Sequence, residues 1–187
     1  MSSDSLISFL SLIEIISEYC AQDIETNLSV IGNFLAPFLS SQDPRVQIAC
    51  AKTAGACIVA VDDDSARDSF KPALEPLLAT LGTAISTGEE IEATAIMEHL
   101  VTVAQIQPTF FKGVMDGVVS VMVQIAGAEG LEFSTRAMAL ELLVTFTECA
   151  PALARRCPNL LQGMIPLAMS LMLALEESEQ VCGFRRC

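Results

Sequence analysis

The sequence predicts an all-α fold in which antiparallel helix pairs repeat along the chain as one α-solenoid. Three observations predict it. The chain of 187 residues is 52% hydrophobic but only 5% aromatic, and its aliphatic residues recur at three- and four-residue spacing. The stretch EHLVTVAQIQP, residues 98–108, returns in part 43 residues later as ELLVTFTECAP, residues 141–151. Proline also recurs within apolar stretches, at Pro37, Pro76 and Pro166.

Eight helical segments follow one another, separated by short polar joints. They are predicted at residues 5–20, 23–40, 44–61, 66–85, 89–105, 109–125, 132–150 and 158–175. Asp43 before Pro44 predicts a helix start, since Asp is a good N-cap and Pro is favoured at the first helical position. Gly88 lies in a joint where the chain must leave one helix and turn into the next. No linker or low-complexity segment divides the chain.

The period of the repeat indicates the type of solenoid. A unit of about 43 residues is typical of HEAT and armadillo repeats and exceeds the tetratricopeptide and ankyrin units. Two helices per unit, the first predicted to be kinked by its proline, favour HEAT repeats. We predict one right-handed HEAT-repeat array of about four repeats over residues 1–178. Its helix pairs are expected at 23–61, 66–105 and 109–150, with half repeats at 5–20 and 158–175 and a disordered or non-native tail at 179–187.

The charge balance limits the partners. Twenty-three acidic residues against ten basic ones give a net charge of −13, which disfavours contact with nucleic-acid phosphates and attracts basic partners. The same charge also serves to keep an apolar chain soluble. Residues 157–175 carry no charge over a length that spans a bilayer, but Pro158, Asn159, Gln162 and Pro166 interrupt them. We therefore predict a buried helix and no membrane contact.

The sequence holds seven cysteines, but their spacing does not indicate a metal site or a disulfide framework. Cys50 and Cys57 are seven residues apart, which places them on one helix face rather than in a CxxC motif. Free cysteines in helical patterns act as small buried apolar residues, which suggests a reducing compartment. This interpretation covers Cys20, Cys50, Cys57, Cys149 and Cys157.

Two other features are interpreted structurally rather than chemically. The run of three aspartates at 62–64 lacks the spacing of a calcium loop, and we expect its last member, or Ser65, to cap a helix that starts at Ala66. His99 adjoins Glu98, but adjacent helical residues do not face each other, so we interpret it as a surface or core residue. We predict no catalytic residue, metal or cofactor, and hence no enzyme.

Four stretches carry a resemblance to a known family: LVTVA at 100–104, PTFF at 108–111, AMALELLVT at 137–145 and MIPLAM at 164–169. They resemble the importin-beta family, and most of all its importin-five, or karyopherin-beta-three, branch. The resemblance covers nearly the whole chain. Because members of that family are several times longer, the resemblance implies a segment of about four repeats from the N-terminal half of a receptor.

The resemblance implies a receptor that carries cargo through nuclear pores and moves between cytoplasm and nucleus. In that family an acidic concave face binds basic localisation signals, Phe-Gly repeats of nucleoporins enter slots between outer helices, and the GTP-bound Ran GTPase displaces cargo. A different HEAT scaffold, such as a phosphatase or chromosome-organising subunit, stays open as the alternative. The Asp–Arg ladder of HEAT repeats is only partly matched, since Gln47 takes one Arg place and Arg136 is the later candidate.

The resemblance makes two sets of residues candidates for binding. Acids of the second helices would line the concave face, and Glu98 and Glu141 occupy equivalent positions in successive repeats, as a row for Lys or Arg requires. Each acid alone is also explained as a solvated surface residue. The candidate acids are Glu89, Glu90, Glu92, Glu98, Glu132, Glu141 and Glu148. The candidate slot residues, which core packing would equally explain, are Phe34, Phe38, Phe70, Phe110 and Phe111.

The last helix also predicts an interaction. It has no following helix to cover its apolar side, so we expect an exposed patch there and self-association through the uncovered ends of the array.

Overall fold

The computed structural model describes residues 2–183, with side chains described as far as residue 174. The described chain contains eleven α-helices, three short 3-10 helices and no strand, which confirms the all-α class. The α-helices are α1 Ser3–Tyr19, α2 Ala21–Thr26, α3 Leu28–Leu35, α4 Pro44–Ala60, α5 Asp64–Asp68, α6 Leu74–Ser86, α7 Glu90–Ile106, α8 Met115–Gly127, α9 Phe133–Cys149, α10 Pro151–Ala154 and α11 Pro158–Gly183. The 3-10 helices are Phe38–Ser40, Lys71–Ala73 and Pro108–Phe111.

The helices form two layers. The inner layer consists of α1, α4, α7 and α9, each 17 residues long, which pack side by side in chain order. The outer layer consists of α3, α6, α8 and α11, which pack against these inner helices. Successive inner helices begin 41, 46 and 43 residues apart. Helix pairs at that spacing are HEAT repeats, as predicted.

Helix starts follow the local signals only in part. The Asp43 carboxylate accepts the Arg45 N–H at 3.0 Å, with Pro44 in the first turn, which confirms the predicted cap. In the acidic turn the capping residue is Asp63, whose carboxylate accepts the Ala66 N–H at 2.7 Å. The expectation of Asp64 or Ser65 as the cap was therefore wrong, since α5 begins at Asp64 itself. Gly88 has φ +80°, which lets the chain leave α6.

Two of the three prolines lie at or near the end of an outer helix and not in its interior. Pro37 follows the end of α3 and precedes a 3-10 helix, and Pro76 is the third residue of α6. Only Pro166 lies in a helix interior, that of α11. The predicted kink in each first helix was therefore wrong for Pro37 and Pro76. A proline lacks an N–H and fits the first turn of a new helix, where that group has no intrahelical partner.

Most buried side chains are apolar, and Arg67 is the charged exception among the residues whose side chains are described. It is only 3% exposed and is the fourth residue of α5. Its Nε donates to the Ile58 carbonyl at 3.1 Å, and a second nitrogen donates to the Val61 carbonyl. Its Nη1 bonds to Asp64 at 2.8 Å and to the Gln107 side chain at 2.9 Å. One guanidinium therefore joins the ends of α4 and α7 to α5.

Two polar side chains join inner to outer helices within a pair. The Nε of Arg136, the fourth residue of α9, donates to the Ala126 carbonyl near the end of α8 at 3.0 Å. The Nε2 of Gln47, the fourth residue of α4, donates to the Leu39 carbonyl at 3.1 Å. Gln47 thus makes the same kind of contact as Arg136, to an orphan carbonyl at the end of the preceding outer segment.

Apolar side chains are exposed at both ends of the array. On α11 they form a stripe of Leu161, Ile165, Met169 and Met172, and on α1 a stripe of Phe9, Leu12, Ile16 and Tyr19. The predicted patch on the last helix is therefore present. The backbone of α11 continues through residue 183, so residues 179–183 of the predicted tail are helical, and residues 184–187 lie outside the described residues.

Candidate protein-binding face

The inner helices share one register. Each starts after an N-cap residue and runs for 17 residues, so positions can be counted from the helix start. The ninth residues are Ser11 in α1, Lys52 in α4, Glu98 in α7 and Glu141 in α9. All four line grooves between neighbouring inner helices. The predicted equivalence of Glu98 and Glu141 therefore has a geometric basis, and Lys52 extends the same row.

Glu98 and Glu141 form the rims of one groove between α7 and α9, which we call the acidic groove. It has a volume of about 390 Å³. Its remaining lining consists of three apolar residues, which are buried or half-buried, and three polar ones: Val101, Ala137 and Met138, and Thr102, Gln105 and Ser134. Both rim glutamates are exposed. Two carboxylates therefore flank an apolar trough.

A second groove of about 290 Å³ continues the acidic groove along the same pair of helices and shares Glu98 with it. Glu90 and Glu132 line it. An Oε2 atom of Glu90 accepts the Glu132 N–H at 2.9 Å, so this carboxylate also caps the start of α9. No Lys, Arg or His is among the described residues that line either groove. Four of the seven predicted acids are thus brought together along one seam.

Glu89 and Glu92 lie in a different groove, which we call the mixed groove. It has about 240 Å³, lies mainly between α1 and α4, and also contains Glu14, Arg45 and Lys52. Glu148, the seventh candidate, is exposed near the end of α9 and lines none of these three grooves.

Lys52 lines the mixed groove and is paired with two of its acids. Its Nζ lies 2.8 Å from Glu92 and 3.6 Å from Glu14, and its side chain is only 23% exposed. Burial alone would lower the pKa of the ammonium, but the Glu92 and Glu14 carboxylates outweigh burial and raise it. The sequence interpretation missed Lys52 and Glu14 because it collected acids of the second helices only. Counting from the helix starts would have found Lys52.

The outer layer has two apolar grooves. The first, of about 400 Å³, lies between α3 and the segment around Phe70 and Pro76. The second, of about 270 Å³, lies between α6 and α8 and is lined by Leu78, Gly82, Ile85 and Val121 among others. The second has no aromatic lining residue, so a search for phenylalanines could not find it.

Of the five candidate phenylalanines, only Phe70 lines an outer groove. Phe34 packs edge-on against Phe9 and Phe38, with ring centroids 5.6 and 5.2 Å apart. Phe110 and Phe111 are fully buried, and Phe111 packs on Phe146 of α9 at 5.0 Å. These last two are core residues between the layers and offer no surface to a ligand.

His99, Cys50 and Cys57 are titratable residues that pack within the array. His99 packs against Gly55 of α4, and burial, with a smaller contribution from Lys52, lowers its pKa. Burial also raises the pKa of the Cys50 and Cys57 thiols to about 12, so neither is a ready nucleophile. Cys157 is likewise buried, whereas Cys149 is exposed.

No group of three or more His, Cys, Asp or Glu side chains within the described residues is placed to hold a metal ion. Among the described helices, none combines the length and apolarity that crossing a membrane requires.

The chain matches known families and structures along most of its length. A family model described as "IPO5-like, TPR repeats" matches residues 4–121, and one described as "Importin repeat" matches residues 128–182. Importin subunit beta-3 of Saccharomyces cerevisiae is 26% identical over 99 residues, which are 53% of this chain and 9% of that protein.

Solved structures of Kap121p share the fold. Those bound to Ste12p and to Nup53p each align with a TM-score of 0.67 and 20% identity, covering 88% of this chain and 17% of that one. The structure bound to RanGTP aligns with a TM-score of 0.64 and 18% identity, covering 89% and 17%. The chain therefore spans a small fraction of the length of these relatives.

The stacked helix pairs and the grooves between their inner helices define a HEAT-type α-solenoid with a peptide-sized inner face. The larger of the two family matches alone covers more than half of the chain. The chain belongs to the importin-beta family, to its karyopherin-beta-three branch, and corresponds to an N-terminal HEAT-repeat segment of that architecture. The predicted resemblance is confirmed.

Proposed function

We propose that this chain is a segment of an importin-type nuclear transport receptor, and that its acidic groove binds a basic segment of a cargo protein. The observation that carries the proposal is that Glu98 and Glu141 line one groove, each as the ninth residue of its inner helix. The structure of Kap121p bound to Ste12p supports a protein ligand for this architecture. The receptor would act in the cytoplasm and the nucleus.

The dimensions of the acidic groove suit an extended peptide. A volume of about 390 Å³ holds one or two long side chains but not a folded surface. The aliphatic stem of a Lys or Arg would pack on Val101, Ala137 and Met138, while its charged head makes charge-assisted hydrogen bonds to the rim carboxylates. Thr102 and Ser134, which line the same groove, would offer their hydroxyl groups to the peptide backbone.

Further partners belong to the same proposal. The two apolar outer grooves would each take the phenylalanine of a Phe-Gly repeat, and the structure of Kap121p bound to Nup53p supports a nucleoporin partner. The structure of Kap121p bound to RanGTP supports Ran as the partner that releases cargo. The family match favours this proposal over a phosphatase or chromosome-organising scaffold.

A second copy of this chain is the partner we propose for the exposed end faces. The stripes on α1 and α11 are each about 15 Å long, since their end residues lie ten and eleven positions apart and the helix rises 1.5 Å per residue. One belongs to an inner helix and the other to an outer helix. Packed together, they would form the inner–outer pairing found within the array. Such a contact joins different surfaces and so builds head-to-tail chains.

The cargo proposal is tested by titrating the protein into a fluorescent peptide that carries one Lys-Arg pair, with anisotropy as the readout. Glu98→Gln with Glu141→Gln removes two contacts of about 1 kcal/mol each, so the Kd should rise about thirtyfold. The matched control is Glu75→Gln with Glu129→Gln, which changes the net charge equally at exposed sites outside the grooves. Equal weakening by both pairs would mean that only net charge attracts the peptide, and the proposal would fail.

A further inference from the structure

The mixed groove and the acidic groove are two versions of one site. Each is lined by the second, fifth, sixth and ninth residues of the later of its two main helices, α4 and α9 respectively. In the mixed groove these are Arg45, Ile48, Ala49 and Lys52, and in the acidic groove they are Ser134, Ala137, Met138 and Glu141. The lining positions, including the apolar fifth and sixth, are therefore repeated, but the charge at the ninth position is reversed.

Lys52 also forms ion pairs with two acids of the neighbouring inner helices. Glu14 comes from α1 and Glu92 from α7, so a single ammonium on α4 bridges three consecutive inner helices. Arg45, at the other end of the mixed groove, is paired with Asp4. Of the three glutamates that line the mixed groove, Glu14 and Glu92 therefore already have a partner, and Glu89 is exposed. Both rim carboxylates of the acidic groove are exposed.

We propose that Lys52 is a specificity-determining residue that ends the row for basic peptides on the inner face. It stands where Glu98 and Glu141 stand in the next two repeats. It occupies the Glu14 and Glu92 carboxylates, which a peptide Lys or Arg would otherwise reach. The proposal rests on the proposed cargo function and adds a limit to it. Basic residues of a ligand are recognised along α7 and α9, and further basic residues that reach toward α1 add little affinity.

The limit follows from the balance of ion pairs. A peptide cation that bound Glu14 or Glu92 in the mixed groove would have to displace Lys52, so one ion pair would replace another with no net gain. It would also lose the conformational freedom of its own side chain. The Lys52 ammonium, in contrast, is held on a helix and is already partly desolvated. An internal partner therefore outcompetes an external one.

The spacing of the helices converts this limit into a peptide length. Packed helices lie 8–10 Å apart, so the centre of the mixed groove is about 15–20 Å from the acidic groove. An extended peptide covers about 3.3 Å per residue, which makes the separation about five or six residues. A second basic pair that far from the first is the part of a ligand that Lys52 should exclude.

The test compares two kinds of fluorescent peptide on the folded protein. One carries a single Lys-Arg pair in a Gly-Ser background, and the others add a second pair about six residues to either side. The measured quantity is the ratio of the single-pair Kd to the better two-pair Kd. Lys52→Gln should raise this ratio about threefold to tenfold, because two carboxylates are released for the second pair.

Lys71→Gln is the matched control. Lys71 is also paired with a carboxylate, that of Asp68 at 2.8 Å, but lies on the outer layer, so the variant makes the same charge change elsewhere. Its ratio should equal that of the unchanged protein. Lys52→Met, which keeps the aliphatic stem, is measured as well, so that the result does not depend on how one replacement packs.

The outcomes separate the two proposals. If the unchanged protein does not bind the single-pair peptide, the cargo proposal fails and the role of Lys52 fails with it. If that peptide binds but the ratio for both Lys52 variants stays at the Lys71→Gln value, the cargo proposal stands and the role of Lys52 is overturned.

Discussion

Replacing Gly55 by alanine should force α4 and α7 apart. A Cβ atom at residue 55 would lie 2.8 Å from Cδ2 and 2.9 Å from Cβ of His99, well inside the usual contact distance of 3.4 Å or more. The Cβ of His99 is fixed to its own helix, so rotation of the imidazole cannot relieve the second contact. The helices themselves must separate by about half an ångström.

The size of the effect follows from two opposing contributions. Overpacking of this kind costs about 1–3 kcal/mol, whereas Gly→Ala in a helix interior gains about 1 kcal/mol. The matched variant is Gly82→Ala in α6, where the new Cβ meets nothing within 4 Å and only the gain applies. The difference in unfolding free energy between the two variants therefore isolates the contact with His99, and should be about 1–3 kcal/mol.

Urea unfolding followed by circular dichroism measures this difference. Gly82→Ala should shift the midpoint upward, and Gly55→Ala should fall clearly below it with an unchanged slope. If Gly55→Ala stabilises the protein as much as Gly82→Ala does, α4 and α7 do not approach as closely as described here. The register on which the inner grooves depend would then be wrong.

Four further changes are expected to have distinct effects. Arg67→Met leaves two buried carbonyls and Gln107 without their donor, so it should lower the unfolding free energy by about 2–4 kcal/mol in urea melts. The control Arg155→Met, at an exposed position, should change the unfolding free energy by less than about 0.5 kcal/mol, and equal effects of the two variants would refute the Arg67 network. Because the folded-state pKa of His99 is lowered, its stabilising contribution is present above about pH 6.5 and is lost as the pH falls toward the folded pKa. His99→Gln should therefore flatten the pH dependence of the urea midpoint between pH 7.5 and 5.5, and an unchanged slope would contradict this. The double variant Gly32→Leu with Gly82→Leu fills both outer grooves and should abolish saturable binding of a Phe-Gly peptide. The control Gly117→Leu, in open space on α8, should leave that binding intact, and binding retained by the double variant would place the peptide elsewhere. Two double variants test the end-to-end contact by sedimentation velocity: an α1 variant with Leu12→Glu and Ile16→Glu, and an α11 variant with Ile165→Glu and Met169→Glu. Each variant should be monomeric alone and the two should form a dimer when mixed, whereas dimers of the α1 variant alone would indicate an α11–α11 contact instead.

Local signals explain why the architecture was predictable from the sequence. The recurrence of EHLVTVAQIQP gave the repeat, and Asp43 with Pro44 gave a helix start, because caps and periodicity depend only on neighbouring residues. The proline rule failed at Pro76, because the first turn of a helix and its interior cannot be told apart when the preceding break is itself unmarked. The 3-10 helix Lys71–Ala73 supplies that break.

The sites were less predictable because they depend on which side of a helix is covered. Phe110 and Phe111 were reasonable slot candidates by residue type, but the 3-10 helix Pro108–Phe111 turns both rings into the core against Phe146. Glu98 and Glu141 were found because the same residue type occupies equivalent positions in successive repeats. Lys52 occupies the same register with the opposite charge, so a search for acids passes over it.

The most direct test locates a bound basic peptide by nuclear magnetic resonance of the methionine methyl groups. Met138 lines the acidic groove, whereas Met169 and Met172 are exposed on the apolar stripe of α11. A Lys-Arg peptide carrying a nitroxide should broaden the Met138 signal saturably, and an excess of unlabelled peptide should restore it. Broadening of Met169 and Met172 with Met138 unaffected would show that the peptide binds the end of the array and not its acidic inner face.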